Sequence, residues 1–551
     1  MALETVTLPW GTTEVEEGTS VGEVLMAGAS LPGELVAATV NGRLVGLDHR
    51  IEGTSRVEPV LAGSMEGEEV IRRTAALLFH ALCQKLYPAL RLQVGQSLRG
   101  GYHYEVHGDA PPLDELAAAL DEAFRREAEA GRQVVRREVE LDAALALLEK
   151  TGPEKARLLK LWRPERVRLV SCLDFTDIRH GVYAINARCA RRARIEAFNP
   201  GLILVFDGKH SEAQNGSSSG TTLFRTYVEA RHWNERIGIS SVADLNEACV
   251  TDQIQRVIQV AEGQHEKKIA DLSDRIASRR GEVKVVCVAG PSSSGKTTFV
   301  KRLSIQLQVN GILPQTLSLD DYYVDRDRTP RQANGDWDFE ALEAIDLQLF
   351  SEQLSELVTG REVLTPVYDF KSGRRRPASE GRPRRLAENE VLLIEGIHGL
   401  NPALTSSIPE SSRFRIFVSA LTQLCIDGHN RIRTSDTRLL RRIVRDRRYR
   451  GHNAEATLLR WGSVLEGEQK HIFPFQEQCD AMFNSALAYE PCVIRIFAQR
   501  YLLEIPPDSP ARPKGDQLLG FTSLFVPLFP DPVPATSILR EFIGGSGFSY
   551  K

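Results

Sequence analysis

The run Gly290-Pro291-Ser292-Ser293-Ser294-Gly295-Lys296-Thr297-Thr298 fits the spacing G-x-x-x-x-G-K-[ST] of a phosphate-binding loop. Glycines let a backbone turn tightly around phosphate oxygens, and free N–H groups at a helix start favour an anion. Gly290, Ser292, Ser293, Ser294, Gly295 and Thr298 are therefore candidate contacts to a nucleoside triphosphate, taken here as ATP. Lys296 supplies a point charge for the β- and γ-phosphates, and the Thr297 hydroxyl is placed to hold Mg²⁺. Two further stretches end in acids: Leu317-Ser318-Leu319-Asp320-Asp321, and Val391-Leu392-Leu393-Ile394-Glu395. Carboxylates at such strand tips lie where α/β proteins bind ligands, and one of them commonly supports Mg²⁺. Asp320 and Glu395 are the candidates for this metal role, beside Thr297.

These groups need strands and a helix to hold them. Lys284-Val285-Val286-Cys287-Val288-Ala289 is a short Val-rich run, as a buried parallel strand requires. After the loop, Phe299, Leu303, Ile305 and Leu307 among Lys301, Arg302 and Gln308 predict an amphipathic helix. The expected fold class is α/β, with a mainly parallel sheet in the C-terminal half.

Ser318-Leu319-Asp320-Asp321-Tyr322-Tyr323, Pro366-Val367-Tyr368-Asp369-Phe370, Glu395-Gly396-Ile397 and the arginine run Arg438 to Arg450 resemble the uridine kinase family, within the wider uridine kinase and phosphoribulokinase group. The similarity covers roughly Val285 to Ala498. It implies ATP- and Mg²⁺-dependent phosphorylation of a primary hydroxyl, that of uridine or cytidine in first place. It implies Asp320 as general base, and Lys296, Arg445 and Arg450 as stabilisers of the transferring phosphoryl group. Asp338, Tyr368 and Arg442 match the family's substrate-binding positions. The base-reading positions depart from the pattern: Gly373, His452 and Arg460 stand where the family has histidine, arginine and glutamine. Another nucleoside, or another hydroxylated small molecule, therefore stays open as acceptor.

Arg438, Arg441, Arg442 and Arg445 recur at helical spacing and share one face. Like charges in a row repel, so a nearby anion is expected, and a lid over ATP phosphates provides one. RNA phosphate or a solvated face are the alternatives.

The chain has 551 residues, enough for several domains, with 42% hydrophobic residues, mean hydropathy -0.24 and net charge -4. No overall basicity points to nucleic acid. The cysteines show neither C-x-x-C pairs nor metal-ligand spacing and read as reduced thiols of a cytoplasmic protein. The start of the sequence has no basic leader with an apolar core, and no apolar run reaches the ~20 residues of a membrane span.

Residues 1–62 predict strands at Val6-Thr7-Leu8 and Val15 to Val21, a short helix capped by Thr19 or Ser20, and a hairpin turning at Asn41-Gly42. They resemble a TGS domain, a small β-grasp module suited to interaction. Residues 63–235 begin with an amphipathic helix around Val70 to Ala81 and, with Gly101-Tyr102-His103-Tyr104, resemble the second, α+β domain of threonyl-tRNA synthetase. That domain edits mischarged tRNA through histidines and a cysteine. The matching positions here are Arg72, Ala76, Arg179 and Tyr183, so editing is not expected. His80, His103 and His180 stand alone, and a lone histidine is more often packed or solvated than a ligand. Leu113 to Arg132 and Leu141 to Lys150 read as helices. Gln214 to Gly220 is a Ser-rich loop without lysine, not a second phosphate loop.

Residues 236–281 are expected to form a polar helical connector, 282–505 the kinase-like domain, and 506–551 a Pro-rich tail that wraps on the body and carries no chemistry. The synthetase-like half also admits a second reading, a nucleotide-gated RNA-binding or regulatory protein in contact with tRNA. In a third, that half is a scaffold for homo-oligomerisation.

Overall fold

The computed structural model describes residues 3–28, 30–98, 100–206, 221–332, 335, 337–369 and 372–550. The Ser-rich loop at 214–220 lies outside the described residues, as do Asp336 and Phe370.

The C-terminal half is built on a five-stranded, all-parallel sheet. Its order is Leu313–Ser318, Glu390–Glu395, Val285–Ala289, Arg413–Ser419 and Ala481–Asn484. The fold class is α/β, as expected. Val285–Ala289 runs through the centre and is wholly buried, because helices cover both faces. Its side chains alternate between them. Val285 and Cys287 pack with Tyr322, Phe350 and Leu354, and Val286 and Val288 with Phe299, Leu303 and Ile258. All strands point the same way, so the phosphate loop and the ends of Leu313–Ser318 and Glu390–Glu395 meet at one edge.

The stretch from Val242 onward is not one connector helix. It forms Val242–Val250 and Ile254–Ala277, broken where Asp252 adopts φ 56°. Nor is it a mere link. Ile258, Ala261, Ile269 and Ile276 share the core of the phosphate-loop helix Lys296–Val309. Arg302 of that helix bonds Glu266 at 2.7 Å. The tail, too, is core: Leu518, Phe525, Ile538, Leu539 and Phe542 are buried in the same cluster.

Near the N-terminus a five-stranded sheet spans Leu3–Leu8 to Ser55–Leu61 and packs on the helix Val21–Gly28. The second strand is Gly11–Glu16, earlier than the expected Val15 to Val21, because Leu3–Leu8 turns back directly at Pro9-Trp10. Ser20 is the residue that caps the helix, in reciprocal bonds with Glu23. The Asn41-Gly42 turn has φ 49° and 75°, which suits those two residue types in a tight hairpin.

The next unit packs the helix Met65–Leu86 on the hairpin Arg91–Leu98 and Gly101–His107. A loop of the C-terminal half wedges into it. Val94 N–H donates to Gly428 O at 2.9 Å, and Cys425 is buried in this unit's own core.

Candidate functional site

The phosphate loop closes around its lysine. Lys296 Nζ donates to Gly290 O at 2.9 Å and Pro291 O at 3.1 Å. Gly295 opens the helix at φ +85°, where a side chain would be strained, and a Cβ there would collide with Ile538. Ser293 and Ser294 are buried, and among the described residues neither hydroxyl finds a partner. Such orphaned donors beside a helix N-terminus suit phosphate oxygens.

Two of the three expected metal supports meet. Thr297 Oγ1 donates to Glu395 Oε1 at 2.8 Å. Burial pushes the Glu395 carboxyl up to about 7, against the pull of Lys296 and of the Thr297 bond. The same burial holds Lys296 below the ordinary amine range, although Glu395, Glu541, Asp320 and Glu468 oppose it. Asp320 is exposed at the mouth and is among the charges that act on Lys296, Glu395 and Tyr323. Loop, metal supports and base candidate thus share one edge.

On the acceptor side, Asp338 Oδ1 accepts from Glu340 N at 3.2 Å. Tyr368 is nearly buried and stacks obliquely on Tyr323, with ring centroids 5.7 Å apart. Tyr323 itself bonds Phe339 O at 3.1 Å. At Gly373 a Cβ would meet the Arg326 guanidinium at 2.6 Å, so an arginine from another loop fills the space beside that glycine. His452 is half-buried and Arg460 exposed.

The arginine face divides. Arg438 and Arg441 are buried on protein carboxylates, not exposed to a ligand. Arg438 bonds Glu468 Oε1 at 2.6 Å and Ser292 O at 3.1 Å. Arg441 forks onto Glu490 and reaches Ser485 O at 2.9 Å. The anion that relieves their repulsion is internal. Arg442 lies on the phosphate-loop side, donating to Ser292 Oγ at 2.9 Å. Arg442, Arg445 and Arg450 all point at Asp446, at 3.3, 2.9 and 3.7 Å. Asp446 was legible in the spacing, since it sits four residues from both Arg442 and Arg450.

Other groups gave no sequence signal. Glu468 accepts from Ser292 N at 2.9 Å. Glu541, in the tail, accepts from Thr298 N at 3.1 Å and Thr298 Oγ1 at 2.8 Å. Glu340 is pushed up to about 7 by burial and by Glu468.

The other cleft, in the N-terminal half, is closed. Arg72 bonds Glu68 at 2.9 Å and lies over Phe206, and Tyr183 is buried. Beside them Lys155 pairs with Asp177, and His429 from the wedged loop reaches Lys155 at 2.6 Å and Asp177 at 3.2 Å. His80 packs against His429, His180 faces Asp427 at 3.5 Å, and His103 is a core residue beneath Phe198 and Phe224.

A phosphate loop at the end of the central strand of a parallel sheet, with a hydroxyl–carboxylate pair beside its lysine, defines a P-loop nucleotide-binding kinase fold. Residues 285–488 belong to the phosphoribulokinase / uridine kinase family. The chain is 29% identical over 198 residues to a uridine kinase of Schizosaccharomyces pombe, covering 36% of this chain and 37% of that one. Its N-terminal half is homologous to threonyl-tRNA synthetase. One such relative, the threonine–tRNA ligase of Methylococcus capsulatus, is 32% identical over 235 residues, 42% of this chain and 35% of that one. A solved D-glycerate 3-kinase from Cryptococcus neoformans aligns at 14% identity and TM-score 0.23, covering 49% of this chain and 89% of that one. The chain spans between 28% and 37% of the lengths of the curated relatives it matches. No helix among the described residues is long and apolar enough to cross a membrane.

Proposed function

We propose that this protein is an ATP- and Mg²⁺-dependent kinase that phosphorylates the 5'-hydroxyl of a pyrimidine nucleoside, uridine or cytidine. The observation that carries the reading is the Thr297–Glu395 contact beside Lys296. It joins two of the groups that would hold Mg²⁺, with Asp320 as the third, and the buried Ser293 and Ser294 hydroxyls suit phosphate oxygens. Bound there, Mg²⁺ would neutralise charge on the β- and γ-oxygens.

The chain's own residues supply the rest. Gly290, Ser292, Ser293, Ser294, Gly295 and Thr298 line the phosphates. Asp320 accepts the proton of the acceptor hydroxyl. Lys296, Arg445 and Arg450 balance charge on the transferring group, and Arg442 bridges the loop and the acceptor cleft. Asp338 can accept two hydrogen bonds from a vicinal diol, and Tyr368 offers its ring to the substrate. In the same reading the N-terminal half is a non-editing support for the kinase, and the protein acts in the cytoplasm.

The test is ADP release by the full chain across nucleosides, sugars and sugar acids. Turnover with uridine or cytidine supports the reading. Turnover only with another alcohol keeps the kinase and discards the nucleoside. Slow hydrolysis indifferent to any acceptor, with salt-sensitive RNA affinity, would favour a nucleotide-gated RNA-binding protein instead.

A further inference from the structure

The tail crosses the chain's own phosphate loop. Ile538 sits against Gly295, Phe542 lies beneath Arg441, and Tyr550 OH meets Thr298 Oγ1 at 2.8 Å. Between them Glu541 takes the first-turn amide and hydroxyl of Thr298. A carboxylate accepting from a backbone N–H at a helix N-terminus occupies the place that helix offers to a phosphate oxygen. The amide has one proton to give, so Glu541 and a phosphate cannot both hold it.

Glu468 and Glu541 differ in how they are held. Glu468 is fully buried and locked by Arg438, so its bond to Ser292 belongs to the resting architecture. Glu541 is half-exposed on the short helix Arg540–Ile543, and among the described residues the hydrogen bonds of its carboxylate run to Thr298 alone. The segment after it carries Gly544 and Gly545 at φ 87° and 69°, and passes Arg448 and Tyr449 of the arginine run. Ile538, Leu539 and Phe542 anchor the tail in the core, but the polar contacts to Thr298 are made by one carboxylate and one phenol, which an anion can displace without moving that anchor.

We infer that the Glu541 carboxylate and the segment 544–550 form an autoinhibitory plug, with the carboxylate as a resident substitute for a nucleotide phosphate and Ile538, Leu539 and Phe542 as its fixed anchor. This rests on the proposed ATP site. With the plug seated the site is closed to triphosphate, and the apparent affinity falls by the fraction of molecules left open. Nucleotide binding must lift Glu541 from Thr298, and whatever stabilises the lifted tail activates the enzyme.

The experiment is calorimetric titration of Mg–ATP into the full chain, its Glu541→Gln and Glu541→Ala variants, and Lys296→Ala as the control without a loop charge. Hydrogen exchange of residues 544–550 is followed in the free and saturated protein. Affinity should rise from wild type through Glu541→Gln to Glu541→Ala, the last by about tenfold, ~1.4 kcal/mol. Amides of 544–550 should lose protection when nucleotide saturates the wild type. Equal affinity in all three proteins, or unchanged protection in the saturated complex, overturns the plug while leaving the ATP site standing. No binding by any of them overturns the ATP site, and the plug with it.

Discussion

Two clefts of this molecule are filled by its own chain, and they are filled differently. In the N-terminal half the kinase loop at Cys425 to Arg433 enters, and the contacts are core-like: a buried Lys155–Asp177 pair, Cys425 among apolar side chains, Arg433 on Glu69. The positions that would carry editing chemistry hold Arg72, Ala76, Arg179 and Tyr183. At the phosphate loop every polar group remains, and the occupant is a half-exposed glutamate on a short helix. The first contact is built like a core, and the second is made by polar groups at the edge of one.

The largest effect should come from breaking the first cleft. Asp177→Ala leaves Lys155 buried without its carboxylate, which costs ~3–5 kcal/mol. Thermal unfolding should fall steeply, and the two halves should become separable by limited proteolysis. A variant as stable as wild type would mean that the interface does not depend on this pair. In the second cleft the loss should be catalytic. Lys296→Ala and Asp320→Asn should each lower kcat by ~10²–10³ with unfolding unchanged, since each removes a charge contact made to the reacting groups. Near-normal turnover by purified Asp320→Asn would remove Asp320 as the base.

The contrast also explains what the sequence could reveal. The loop and its flanking strand and helix were legible because a local pattern dictates them: Gly295 at positive φ, valines alternating between two faces, acids at strand tips. The joining of Thr297 to Glu395, 98 residues apart, was legible only through the parallel topology the pattern implied. The Asn41-Gly42 hairpin followed from backbone conformation alone. The roles of Glu468, Glu490 and Glu541 were not legible, because nothing near a glutamate in the chain records which distant amide or arginine it will meet. For the same reason four arginines on one helix face looked like one ligand surface. Distant carboxylates divided it, two arginines going into the core and two to the site. The second helix of the connector read only as a polar link because its charged residues interrupt its apolar ones, yet its apolar face is continuous with the kinase core.

The smallest effect should be a pH dependence confined to the second cleft. Glu395 has an ordinary value of 4.5 and rises to about 7 in the fold. Its folded state therefore binds more protons than the unfolded chain between those values. Its contribution to stability is most favourable below pH 4.5 and declines as pH climbs toward 7, with a slope approaching ~1.4 kcal/mol per pH unit. Lys296 faces the group and opposes the shift, while Glu541 and Asp320 reinforce it. Glu395→Gln removes the titration, so the difference in unfolding free energy between the two proteins should vary with pH across that window and be flat above it. Metal demands the opposite protonation state. Apparent Mg²⁺ affinity, measured with ATP saturating, should rise from pH 6 to 7.5 in wild type and lose that rise in Glu395→Gln, because only the ionised carboxylate can ligate the cation. Parallel profiles for the two proteins would remove Glu395 as the metal support. The same profile sharpens the comparison of the clefts, since the Lys155–Asp177 pair lies outside this titration: burial opposes Asp177's charge, but Lys155 and His429 hold its carboxyl well below the usual range.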